Sequence, residues 1–90
     1  MAKPIHRPGD HRFEANLDGH AGRLDYSVHG DVLTIVHTEV DPALEGRGVA
    51  GALVRAALDH ASASGLKVRP SCPYAASYME RHPETKPLRV

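Results

Sequence analysis

Between Arg12 and Val40 the chain alternates apolar and polar positions; from Val49 onward the apolar positions recur every three to four residues. In the first stretch Phe13, Ala15 and Leu17 fall on one side, with Arg12, Glu14 and Asn16 opposite. Asp18-Gly19-His20-Ala21-Gly22 has the composition of a turn. Leu24, Tyr26 and Val28 then share a face, Gly30-Asp31 supplies a second turn, and Val32 to Val40 is a third run rich in β-branched residues. Period-two runs separated by Gly and Asp predict three strands in an antiparallel meander.

Past "DPALEGRG" the period lengthens. Val49, Leu53, Ala57 and Ala61 are spaced by four, flanked by Val54 and Leu58, which is one broad apolar helix face. Arg55 and Asp59 are spaced for an i,i+4 ion pair on the solvent side. Gly65 suits a left-handed helix end. Leu66 to about Ser71 reads as a short strand. "CPYAASYMERH" reads as a second helix, with Pro73 in its first turn and Cys72 at the N-cap. Residues 1–10, polar with two prolines, read as a loose N-terminal arm, and residues 84–90 as a C-terminal tail. The order is therefore β-β-β-α-β-α. A helix between the third and fourth strands makes a right-handed crossover onto a parallel strand. The expected fold is α+β, an α/β sandwich on a mixed sheet.

Ninety residues hold one small domain, residues 1–90, with a thin core. Eleven basic and eleven acidic residues balance, which argues against a nucleic-acid partner. The single cysteine, Cys72, cannot form an intramolecular disulfide and fits a reducing compartment. No apolar run suits a membrane span and no signal-peptide pattern opens the chain, so a soluble, cytoplasmic protein is expected. The seven histidines lack zinc-type spacing and no metal is expected; His11, His20 and His29 recur evenly but fall at strand ends. An edge strand leaves either a monomer or a weak homodimer open.

The segment "GRGVAG" satisfies G-x-G-x-x-G. A dinucleotide fingerprint needs an acidic residue about twenty positions on, and no acidic residue lies between Asp59 and Glu80. A packing turn is a second reading of Gly46, Gly48 and Gly51. The third is an anion cradle. A helix start leaves its first amides unpaired, and a glycine there cannot cap them, so a phosphate can approach. Arg47 would add a charge-assisted contact at the rim.

At these residues the chain resembles the GNAT N-acetyltransferase superfamily. "EGRGVAGALVRAAL" is similar to its acyl-CoA-binding motif: Gln or Arg, two free positions, Gly, one free position, then Gly or Ala. Gly48 and Ala50 match, while Glu45 stands where Gln or Arg is commoner. "AASYMERH" is similar to the superfamily's tyrosine-bearing helix, with Tyr78 on the tyrosine and His82-Pro83 replacing its Gly-Phe. The ordered resemblance runs from Phe13 to Pro83 and looks most like a short, minimal single-domain branch; the helices that shape the acceptor site have no counterpart.

The resemblance implies an acetyl-CoA-dependent N-acetyltransferase, with a small-molecule acyl donor and an amine acceptor it does not name. Thr38, Glu39 and Val40 would offer backbone to the pantetheine arm. Glu45, Gly46, Arg47, Gly48, Val49, Ala50 and Gly51 would hold the pyrophosphate. The thioester would lie near Cys72 and Tyr78. Transfer to an amine needs a neutral amine and a protonated leaving thiolate. Tyr78 is the candidate acid by the resemblance, and Glu39 and His37 are the candidate bases. Alternation with Thr38 puts Glu39 and His37 on the same face as Leu33 and Ile35, where a carboxylate would be desolvated and its pKa raised. Cys72 at a helix N-terminus would be a competent acyl acceptor, so an acetyl-Cys72 route stands beside direct transfer, which the resemblance implies. A CoA-binding module without turnover and a purely structural domain are the competing functions.

Overall fold

The computed structural model describes residues 3–90. Five strands form one sheet in the order β1-β2-β3-β4-β5: Ile5–Arg7, Arg12–Leu17, His20–His29, Val32–Val40 and Lys67–Pro70. The first four pair antiparallel, and β5 runs parallel to β4. Helix α1, Val49–Ala63, makes the crossover, and α2, Pro73–Arg81, follows β5. This is the α+β architecture expected. The turns follow from their residues: Asp18 (φ +52°) and Gly19 (φ +79°) both occupy the left-handed region, the conformation of a two-residue hairpin between Leu17 and His20.

Two segments read as unstructured carry structure. Within the N-terminal arm, Ile5–Arg7 forms β1 against β2, followed by a 3-10 turn at Pro8–Asp10. The order is thus β-β-β-β-α-β-α. In the tail, Pro83–Leu88 is a 3-10 helix that buries Thr85, whose hydroxyl donates to the His82 carbonyl at 2.7 Å. Val90 then donates its amide to Val68 on the free edge of β5.

One face of the sheet is apolar and packs on the helices. Phe13, Ala15, Leu24, Tyr26, Leu33, Ile35 and Val68 meet Val49, Leu53, Val54, Ala57, Leu58 and Ala61 of α1, the stripe that its period predicts. Val28, expected on the buried face, is 38% exposed near the end of β3. The outer face carries a run of ion pairs: Arg7–Glu14, Arg12–Asp25, Arg23–Asp25, Arg23–Glu39 and His37–Glu39. Arg55 does not pair with Asp59; its guanidinium reaches Glu84 at 2.7 Å instead, which fastens the C-terminal 3-10 helix to α1.

The feature that shapes the site is a β-bulge in β4. Asp25 pairs with His37 and Tyr26 with Ile35, so Val36 is the extra residue. An inserted residue reverses which face each later side chain takes. Leu33 and Ile35 point to the core, and beyond the bulge Thr38 and Val40 turn inward while His37 and Glu39 turn outward. The expectation that Glu39 and His37 share the face of Leu33 and Ile35 is therefore corrected. The Glu39 side chain is 59% exposed, so the desolvation expected of it is absent.

Candidate active site

Strands β4 and β5 part company at Ile35. Their parallel pairing ends at Ile35–Pro70, where proline has no amide to continue it. The Ile35 carbonyl accepts from the amides of both Ser71 and Cys72, each at 3.1 Å, and this pins the start of α2 where the strands diverge. Asp41 donates its amide to Ala21 on β3. Successive residues in an antiparallel ladder face opposite sides, so Thr38 and Val40 present their backbone away from β3, toward the gap. Glu39 pairs its backbone with β3, opposite Arg23, and has none to offer there.

The glycine loop closes one end of the gap. Asp41 accepts from the Ala43 amide at 2.9 Å and so caps the 3-10 turn Pro42–Leu44. Gly46 (φ +79°) and Gly48 (φ +78°) then take left-handed conformations that favour glycine. Gly48 is the N-cap of α1 and provides no side-chain cap; the first helical bond runs from the Ala52 amide to the Gly48 carbonyl at 3.0 Å. The amides of Val49, Ala50 and Gly51 are left without intrahelical partners. They border a cleft of about 480 Å³ lined by Val40, Asp41, Pro42, Leu44, Glu45, Gly46, Gly48, Val49, Ala50, Gly51 and Tyr74. An uncapped, glycine-floored helix start of this kind fits a phosphate.

Arg47 is turned away from the cleft, with its guanidinium on Asp18 of the β2–β3 turn at 3.2 Å. His20 contacts Asp41 at 3.0 Å, and the Asp41 carboxyl lies below the usual carboxylate range, held there first by the Ala43 amide and then by His20.

Cys72 is buried at the N-cap of α2, and its Sγ donates to Thr38 Oγ1 at 3.6 Å across the gap. Burial pushes the thiol pKa up, but the Ala75 amide, the Thr38 hydroxyl and the amides of Tyr74 and Thr38 together bring it below the ordinary value. As a thiol the sulfur makes no capping bond; it is the thiolate that these amides favour. Tyr78 stands beside Gly51, its Cε2 3.7 Å from where a Cβ on that glycine would lie. Its hydroxyl accepts from Arg55 Nε at 3.0 Å, its ring stacks on His82, and it lines a shallower groove along α1 rather than the cleft. His37 and Glu39 contact each other at 3.3 Å on the outer face. The structure thus brings Thr38, Val40, the loop and Cys72 together around one gap, turns Glu39, His37 and the Arg47 guanidinium away from it, and leaves Tyr78 beside Gly51 but outside the cleft lining.

Residues 12–88 match the family model described as GCN5-related N-acetyl-transferase. The chain belongs to this family. Protein NATD1 of Homo sapiens is 38% identical over 86 residues, which cover 89% of this chain and 76% of that protein. Protein NATD1 of Xenopus tropicalis is 40% identical over 75 residues, 80% of this chain and 69% of that one. A Staphylococcus aureus protein described as GCN5-like, solved by NMR, superposes with a TM-score of 0.77 at 24% identity, covering 98% of this chain and 87% of its own, and shows the shared fold. Membership of the family supports acyltransferase chemistry, and the dinucleotide reading of "GRGVAG" is set aside.

Tyr74 is a cleft residue that sequence reasoning did not assign, as are Pro42 and Leu44. Its signal is positional: Pro73 opens α2 at the carboxyl end of β5, so the next side chain stands at the crevice where open sheets bind ligands. Asp41 was likewise read only as part of the loop. Among the described residues, no group of three or more His, Cys, Asp or Glu side chains could hold a metal ion. Among the described residues, no helix is long and apolar enough to cross a membrane.

Proposed function

We propose that the protein is an acetyl-CoA-dependent N-acetyltransferase acting on an amine. The observation that carries this reading is the uncapped start of α1 on Gly48, opening into the cleft beside the free backbone of Thr38 and Val40. Bound acetyl-CoA would supply an activated thioester. The amides of Val49, Ala50 and Gly51 would hold its pyrophosphate, aided by the helix dipole. Thr38 and Val40 would pair with its pantetheine arm as an added strand.

Cys72 would hold or release a proton at the gap, on Sγ beside Thr38. Direct transfer to the amine is the reading we adopt; an acetyl group found on Cys72, with CoA released, after incubation with acetyl-CoA and no amine would turn it toward an acetyl-Cys72 route. His37 and Glu39, in contact on the outer face, would take a proton by way of water from an amine that arrives from that side. Tyr78, whose hydroxyl accepts from Arg55 and keeps its own proton free to donate, would be the acid. A CoA-binding module without turnover is the competing reading, favoured by the carboxylate of Glu45 in the cleft wall.

Backbone amide NMR during titration with CoA and acetyl-CoA tests the cofactor. The expected result is shifts across Thr38–Gly51 and Cys72–Tyr78, with stabilisation of about 2.7 kcal/mol at a hundredfold excess over Kd. Absence of shifts at millimolar CoA removes both readings. Binding with no acetylation of any amine in a broad panel favours the module.

A further inference from the structure

We infer that Tyr74 is a binding residue for the donor's pyrophosphate, its hydroxyl supplying a neutral hydrogen-bond donor opposite the first-turn amides of α1. The inference rests on the cofactor reading above. Three observations carry it. Tyr74 is the α2 side chain in the cleft wall, one residue past Pro73, and is about a third exposed. Its Oη would lie 3.5 Å from a Cβ built on Gly51, so the hydroxyl stands over the first turn of α1, where Val49, Ala50 and Gly51 have unpaired amides. Among the described residues that hydroxyl makes no hydrogen bond to the protein, unlike those of Tyr26 and Tyr78, which contact His6 and Arg55.

The pyrophosphate is anionic, and a further hydrogen-bond donor beside the amides strengthens its hold. The loop's own side chains do not supply one: Glu45 brings a carboxylate to the cleft, and the Arg47 guanidinium is occupied by Asp18. A phenol on the facing helix donates without adding charge and cannot be drawn into an ion pair. Gly51 belongs to the same device. A methyl there would meet Tyr74 Oη and Tyr78 Cε2 at ordinary contact distances, so packing does not demand glycine; the missing side chain keeps the space beneath the hydroxyl open.

The test is CoA binding by calorimetry, with phosphorus NMR of the bound pyrophosphate, on the wild type, Tyr74→Phe and Gly51→Ala. Tyr74→Phe keeps the ring and should fold as the wild type does. It is expected to weaken CoA about tenfold, the loss of one hydrogen bond to a charged group, and to move the pyrophosphate resonances. Gly51→Ala is expected to weaken CoA by a similar factor while the fold persists. Equal CoA affinity in wild type and Tyr74→Phe overturns the inference and leaves the cofactor reading standing. Weaker binding with unmoved pyrophosphate resonances also overturns it, since the contact would then lie elsewhere on the donor. A wild type that does not bind CoA overturns the cofactor reading itself, and this inference with it.

Discussion

At its C-terminal end α1 brings His60 against the rings of His6 and Phe13, whereas at its N-terminal end it begins on bare Gly48 beside a cleft. The same fifteen-residue helix, with one apolar stripe, serves both ends. Beside His60 one polar pair closes within the protein: His6 Nε2 meets the Tyr26 hydroxyl at 2.6 Å. Around Gly48 the donors are left over. A closed end contributes stability, and an open end leaves groups for a ligand, so substitutions at the two ends should separate stability from binding.

The largest effect should come from the helix between them. Leu53 is fully buried, with Cδ1 against the backbone of Gly22 on β3. Leu53→Ala is expected to cost about 2–5 kcal/mol, a large share of the stability of a small domain. Urea denaturation should show it, and amide exchange should rise at both ends together. Exchange that rises at one end alone would mean the two ends are separate units and the comparison is misdrawn.

Two glycines at the open end sharpen the contrast. Gly48→Ala meets no atom within 4 Å, so its cost is the left-handed backbone at φ +78°, about 1–2 kcal/mol. CoA affinity should fall with it, because the loop must shift. Gly51→Ala should act with opposite signs on the two properties. Gly51 lies inside α1 with no positive φ, so alanine there is expected to raise stability by about 0.5–1 kcal/mol while weakening CoA. Denaturation and calorimetry on one sample decide it. A Gly51→Ala protein that is less stable would return this glycine to the role of a packing residue.

How legible these regions were differs for physical reasons. The stripe Val49–Ala61 and the alternation of β2 and the first half of β3 stand out because period and burial coincide there. The bulge at Val36 does not, since Val, Ile, Val, His and Thr suit a regular strand and a bulged one equally. That single insertion turned His37 and Glu39 from the expected inner face to the outer one. Strand β1 was hidden for another reason: three residues between two prolines have no period, and what holds them is tertiary, His6 stacked on Phe13 at 4.2 Å. The loop motif identified the cleft, but Tyr74 reaches it only through the placement of α2 at Ile35, which no local pattern encodes.

The smallest expected effect is a pH slope at the closed end. His6 has a pKa below its ordinary value, through burial first and then the nearby His60. The hydroxyl of Tyr26, its pKa raised by burial, keeps its proton and can donate to neutral His6 Nε2. Protonating His6 removes that acceptor and sets a cation beside His60, whose ring centroid is 4.4 Å away. A histidine whose folded pKa is depressed binds more protons in the unfolded chain. Its stabilising neutral form is therefore fully present above the ordinary histidine value of about 6.5 and is opposed as pH falls through it toward the folded value. The β1–β2 rungs, Ile5 with Glu14 and His6 with Phe13, should exchange their amides faster at about pH 5.5 than at about pH 7.5, after correction for intrinsic rates. His6→Gln should remove most of that difference while the amides near Gly48 keep theirs. If the β1–β2 amides of the wild type and His6→Gln show the same pH dependence, the closed end owes its protection to apolar burial alone, and the contrast between the ends rests on packing rather than on paired polar groups.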